Sequence, residues 1–178
     1  MYAMIGSALH QEIRFEHGDA AWQRVAGRAA FAGDDDPTRI DDRRAHELIE
    51  AACAELGKTP PVLLEWLAEH WIAHVAAERG DWLQQCGRSL PGLLGSLDRV
   101  EPAPPEAARA FRCTRVGPHS LVLHCYSPAP DLSPFVTGLV RGIARLCGQP
   151  VRVTPINECG RGDDHDSFWV EFGEDGLQ

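Results

Sequence analysis

The sequence predicts an α+β fold, a helical N-terminal lobe followed by a four-stranded antiparallel sheet with one packed helix, in the order β-β-α-β-β. Three observations carry this. Apolar residues recur at three- and four-residue spacing over roughly the first hundred positions. From Phe111 onward the period shortens to two. Between the regimes lies the proline-rich stretch PAPPEAARA at 102–110, which has no periodic core. Helices followed by strands are the pattern of an α+β domain. With 178 residues, 44% of them hydrophobic, one core is affordable and two are not. The expectation is a single domain over 1–178, with a helical lobe at about 1–100, a connector at 102–110 and a sheet lobe at 111–173.

Ile5, Leu9 and Ile13 define a first helix; Ala21, Trp22, Val25, Ala26 and Ala29 define a second, behind a capping Asp19. The Gly33-Asp34-Asp35-Asp36-Pro37 cluster breaks the pattern before an amphipathic run at roughly 41–56 containing Leu48, Ile49 and Cys53. Thr59 reads as an N-cap, with Pro60 opening a long helix through Val62, Leu63, Trp66, Leu67, Trp71 and Val75 that Gly80 should end. After a short segment around Trp82 and Leu83, Ser89-Leu90-Pro91 caps a helix carrying Leu93, Leu94 and Leu97. Strands are expected at 111–116 and 121–126 around the Gly117-Pro118 turn. A helix from Leu132 to Leu146 follows, then strands at Val151-Val153 and Phe168-Val170-Phe172. Gly138 and Gly142 on that helix should permit close packing on the sheet, offsetting the roughly 1 kcal/mol that glycine costs in a helix.

Several functions are disfavoured at once. Glu65, Glu69 and Glu78 interrupt the longest apolar region, so a membrane span is not expected. The opening MYAMIGSALHQEIRFEHG carries no basic leader, which points to a cytoplasmic protein. A net charge of −9 repels phosphate backbones and argues against nucleic acid. Six cysteines without a CxxC pair read as mostly reduced, buried thiols. Neither a P-loop nor a dinucleotide fingerprint is present.

Glu69-His70-Trp71-Ile72, Cys86-Gly87-Arg88-Ser89-Leu90-Pro91 and Leu97-Asp98 occur in that order in the first half. The second half adds Phe111-Arg112-Cys113, Leu121-Val122-Leu123-His124 leading into Tyr126-Ser127-Pro128, Gly138-Leu139-Val140-Arg141-Gly142, and Gly162-Asp163-Asp164-His165-Asp166. Together these strings, spread over nearly the whole chain, resemble the heme nitric oxide/oxygen binding family (H-NOX, or HNOB), which includes the sensor domain of soluble guanylate cyclase. The resemblance implies heme b held between the two lobes and nitric oxide or oxygen sensing. It also implies a two-state rotation of the helical lobe and, as partner, a histidine kinase or a cyclic-nucleotide signalling enzyme. It places Leu9, Trp71 and Ile72 on the pocket wall.

The chain departs from the family where the cofactor is held. The family's iron-binding histidine stands three residues after the Asp of Leu-Asp, which here is Glu101, and no histidine lies between His74 and His119. A carboxylate brings charge and a weaker field where neutral imidazole brings a lone pair alone. The family's Tyr-x-Ser-x-Arg motif for the propionates falls on Cys125, Ser127 and Ala129, so only the serine remains. Ala129 offers none of the charge-assisted, bidentate contact of an arginine. The connector after Glu101 also looks shorter than in typical members. An empty cavity costs about 24 cal/mol per Å³, so either Trp66, Trp71 or neighbours turn inward or another ligand, such as a small apolar molecule, fills the space.

Other residues read more simply. Glu101, between Val100 and Pro102, fits a solvated side chain better than an iron ligand. His70 and His74, one turn apart, lack a third metal ligand. Some relatives carry zinc on three cysteines and one histidine; here Cys159 and His165 are the candidates, with Asp166 at the later cysteine position and Cys147 on the preceding helix. An exposed Cys159 could instead act as a redox-sensitive thiol. Ser127, His124 and Asp131 have no nucleophile elbow, so no enzyme is expected. A metal-dependent enzyme on His165 and Cys159 is the remote option. The leading expectation is a regulatory H-NOX-like module that has lost ordinary heme binding; the alternative is a genuine heme-based gas sensor with an atypical axial ligand.

Overall fold

Each helix starts and stops where its local chemistry requires. The computed structural model describes residues 2–31, 36, 40–78, 80, 84, 89–97, 111–126, 131–157 and 165–173. Helices α1 (Tyr2–His17), α2 (Asp19–Arg28), α3 (Asp42–Leu56), α4 (Pro60–Glu78) and α5 (Leu90–Leu94) precede β1 (Phe111–Gly117) and β2 (Ser120–Cys125). Helix α6 (Ser133–Leu146), β3 (Val151–Asn157) and β4 (Asp166–Phe172) complete the chain's described elements. The connector at 102–110 lies outside them.

The Asp41 side chain caps α3 by accepting from the Arg44 amide at 2.9 Å, and Gly57 ends it in the left-handed region at φ 64°. Asp41→Ala should therefore cost about 1 kcal/mol, read as a lower midpoint in chemical denaturation. Ser89 caps α5 in the same way, accepting from Gly92 N at 3.3 Å. Asp19 is not a cap. Gly18, at φ 80°, holds that position without a side-chain bond, and Asp19 is the first helical residue, ion-paired with Arg14. The tight reversal from α1 into α2 needs the positive φ that glycine alone adopts freely. The long helix α4 ends at Glu78, just short of Gly80, which is itself helical; a lone glycine lowers helix propensity without forbidding the conformation.

The sheet has strand order β1-β2-β4-β3, every neighbour antiparallel. Its register puts Cys113, Leu123, Phe168 and Pro155 on one face with Leu121, Val170 and Val153. That face joins the same core as α1 to α6. The opposite face carries Arg112, Thr114, Val122, His124, Ser167 and Trp169.

Gly138 and Gly142 face α4, not the sheet. A methyl group on Gly138 would lie 2.2 Å from the Glu65 carbonyl oxygen, and one on Gly142 would lie 2.2 Å from Ile72 Cγ2 and 2.7 Å from the Glu69 carbonyl oxygen. The two helices touch backbone to backbone, with Ala68 Cβ also against Gly138. Arg141 pairs with Glu65 and Arg145 with Glu69 along the rim of this seam. The last helix is thereby fastened to the helical half of the chain.

Candidate functional site

Leu9 on α1 and Ile72 on α4 have no exposed surface, and Trp71 retains 3%. A side chain facing a porphyrin-sized gap keeps accessible surface; these keep almost none. The Trp71 ring lies 6.5 Å from the Phe135 ring on α6, itself fully buried. Trp66 does not turn inward. It stays half-buried beside His70, at 5.3 Å between rings, under the Lys58 ammonium at 5.4 Å. Clefts of about 480 Å³ between α2 and α3, and about 530 Å³ where α4, α6, β3 and β4 meet, do not touch Leu9, Trp71 or Ile72.

Cys125 ends β2 on the buried face, 1% exposed, opposite Phe111 and Asp166. A thiol is a weak donor and shorter than a phenol, and its cross-strand neighbour Asp166 adds an acceptor. Tyr126, the next residue, is 43% exposed and turns to the outer face, since successive strand residues alternate. A slip of one residue therefore does not restore a tyrosine at the Cys125 position. Glu101, Ser127, Ala129 and Cys159 lie outside the described residues.

The outer face holds a cluster that the sequence did not single out. His124 Nδ1 lies 3.0 Å from His165 Nε2 and 3.2 Å from Ser167 Oγ, while its Nε2 lies 3.3 Å from Thr114 Oγ1. The Tyr126 ring stacks on His165 at 4.5 Å and 24°. Extending the β2–β4 register by one step puts His165 across from Tyr126, which explains the stacking. Burial, then His165 and Arg112, hold the His124 imidazole below its ordinary pKa. Pairing between β2 and β4, separated by a whole helix, was the missing information; the residues themselves were visible.

Of the four described cysteines Cys53, Cys113, Cys125 and Cys147, Cys125 alone is buried and the other three are half-buried, correcting the expectation of buried thiols. Cys53 and Cys147 sit near helix ends, where one side of the thiol stays open. Burial still raises both above the ordinary thiol value, with Glu50 adding to the rise at Cys53. That suppresses thiolate chemistry.

The Nδ1 atoms of His70 and His74 turn to different partners. His70 Nδ1 bonds to the Trp66 carbonyl at 2.8 Å, whereas His74 Nδ1 meets Glu12 Oε1 at 2.5 Å. Glu12 is fully buried on α1, and its Oε2 has no hydrogen-bond partner. Among the described residues no group of three or more His, Cys, Asp or Glu side chains could hold a metal, and no helix is long and apolar enough to cross a membrane.

A family model described as Haem-NO-binding matches residues 2–155. An H-NOX protein from S. oneidensis, in its Fe(II)NO ligation state, is 14% identical with a TM-score of 0.78, covering 98% of this chain and 100% of that one. A mutant H-NOX from T. tengcongensis is 15% identical at TM-score 0.77, covering 97% of both chains. An oxygen-binding H-NOX domain related to soluble guanylate cyclases is 15% identical at TM-score 0.76, covering 97% of this chain and 94% of that one. The solved structures share the helices-then-sheet architecture end to end, and with the family model matching most of its length the chain belongs to the haem-NO-binding, or H-NOX, family.

Proposed function

We propose that this chain is a non-catalytic H-NOX regulatory module that has given up ordinary heme binding and acts by contacting a signalling partner, a histidine kinase or a cyclic-nucleotide signalling enzyme. The observation that carries the reading is the closed packing around Leu9, Trp71 and Ile72, where the resemblance puts the pocket wall. Trp71 and Phe135 occupy the interior as a hydrophobic core does, which spares the domain the energy of a void. Two features of the sequence point the same way: Glu101 stands where the family's iron ligand would, and Ala129 where the propionate-binding arginine would. Cys125 beside Asp166 offers a propionate an acceptor in place of a phenolic donor. The described residues thus do not fit a porphyrin held in the family manner. The signal must enter by another route, because only a ligand or modification that favours one conformation shifts a two-state equilibrium.

Hemin titration tests this. The chain as purified, reconstituted with hemin and reduced, should show no sharp Soret band at one heme per chain and no shift with nitric oxide. A stoichiometric band that moves with the gas would establish the alternative, a gas sensor with an atypical axial ligand. Glu101→His combined with Ala129→Arg is expected to improve heme retention over the parent chain, measured by transfer of hemin to an apo-globin acceptor. No gain would mean that the closed packing, and not the missing anchors, excludes the porphyrin.

A further inference from the structure

We propose that His124 and His165 together form a two-imidazole site for a divalent transition-metal ion of the zinc class on the outer face of the sheet, with water completing the coordination. The site is independent of heme and of the partner reading. Two nitrogens, one on β2 and one from the residue that leads into β4, face each other across 3.0 Å. Metal–nitrogen bonds of about 2.0–2.1 Å place the nitrogens of a tetrahedral pair roughly 3.3 Å apart and those of a right-angle pair roughly 2.9 Å apart. The observed separation already falls between these values, so the two nitrogens need not move apart or together for the rings to pivot their lone pairs onto one ion.

The surroundings set the rings for that task. Thr114 Oγ1, on β1, lies 3.3 Å from His124 Nε2; in the tautomer where Nε2–H donates to that hydroxyl, the lone pair is on Nδ1. A bond from the far nitrogen of a ligating imidazole is the usual device for fixing its tautomer and orientation. Tyr126 holds the plane of His165 by stacking at 4.5 Å. With His165 in its Nε2–H tautomer, that proton is donated to His124 Nδ1 across 3.0 Å in the metal-free pair. The ion takes both lone pairs, and the His165 proton moves to its own Nδ1, so two neutral rings bind with no net proton released. The Ser167 hydroxyl, 3.2 Å from the same Nδ1 and nearly buried, is then placed to accept from a metal-bound water. The Arg112 charge opposes the ion, which makes reversible binding the expectation.

The experiment is calorimetric titration of ZnCl2 into the full chain after chelator treatment. One Zn²⁺ per chain is expected, with affinity falling at least roughly tenfold in His124→Gln and in His165→Gln, by a similar factor in Thr114→Val, and not at all in Cys159→Ser. Cu²⁺ provides a second readout on the unaltered chain: its electron paramagnetic resonance spectrum should show two coordinated imidazole nitrogens, and one in either glutamine variant. The melting temperatures of the variants in chelator separate lost binding from lost folding. Absence of Zn²⁺ binding, binding that survives both histidine changes, or binding abolished by Cys159→Ser would each overturn the site.

Discussion

Gly138→Val is expected to lower the stability of the domain by about 3 kcal/mol or more, the upper end of what overpacking costs. In a chain of this size that corresponds to a drop of roughly 6–12 °C in melting temperature. The reason is the partner atom. A methyl group at Gly138 meets a backbone carbonyl oxygen, Glu65 O, at 2.2 Å, and backbone cannot step aside as a side chain can. At Gly142 the nearest atom is Ile72 Cγ2, which can rotate, though Glu69 O at 2.7 Å still resists. Gly138→Ala should therefore be more damaging than Gly142→Ala. Helix propensity works the other way, because alanine in place of glycine gains about 1 kcal/mol in a helix interior. A thermal melt decides between the effects: if Gly138→Ala raises the melting temperature, the close approach of α4 and α6 is wrong.

The seam has a functional consequence. Helix α4 belongs to the helical half and α6 to the sheet half, and they meet backbone to backbone between two arginine–glutamate pairs. Exposed pairs of this kind contribute about 0–1 kcal/mol each; the glycine contact is what sets the spacing. Any rotation of the helical elements against the sheet must either pivot on this seam or break it.

How much of this was legible follows from the range of each interaction. The helices of the first half, the two hairpin strands and the last helix were readable from local period and caps, because those signals lie within a few residues. The direction of Gly138 and Gly142 was not, since a GxxxG spacing says that something comes close and not what; the partner is some 70 residues earlier in the chain, as the Glu69–Arg145 bond spans 76 positions. The His124–His165 pair depends in the same way on β2 lying beside β4, 41 positions away. By contrast, Glu12 could have been flagged. It falls on the stripe Ile5, Ala8, Leu9 and Ile13, all fully buried, so helical spacing alone placed a carboxylate in the core. Glu101, Ser127, Ala129 and Cys159 lie outside the described residues, and for them the sequence remains the sole source.

That carboxylate gives the second large effect. His74→Ala is expected to destabilise the domain by about 2–3 kcal/mol: removing one partner of a buried pair costs about 3–5 kcal/mol, reduced here because His74 is 31% exposed. The loss arises less from the bond than from what remains, a fully buried Glu12 whose Oε2 already lacks a partner. Glu12→Gln keeps the shape and removes the charge, so His74→Ala made in that background should cost much less.

The pH dependence has a definite sign. Burial raises the Glu12 carboxyl above its ordinary 4.5; the bond and charge of His74 and the charge of His70 pull it back, and Glu16 pushes it up further. Between 4.5 and the raised value, the folded protein holds a proton that the unfolded chain has released. Stability from this group is therefore greatest below 4.5 and falls as pH climbs through that window. His74→Ala removes the principal group pulling the carboxyl down, so the window should extend to higher pH, and Glu12→Gln should abolish this portion of the slope. Urea denaturation at a series of pH values checks all three. A wild-type slope that survives Glu12→Gln unchanged would mean that another group titrates there and that the buried carboxylate is not the one resisting ionisation.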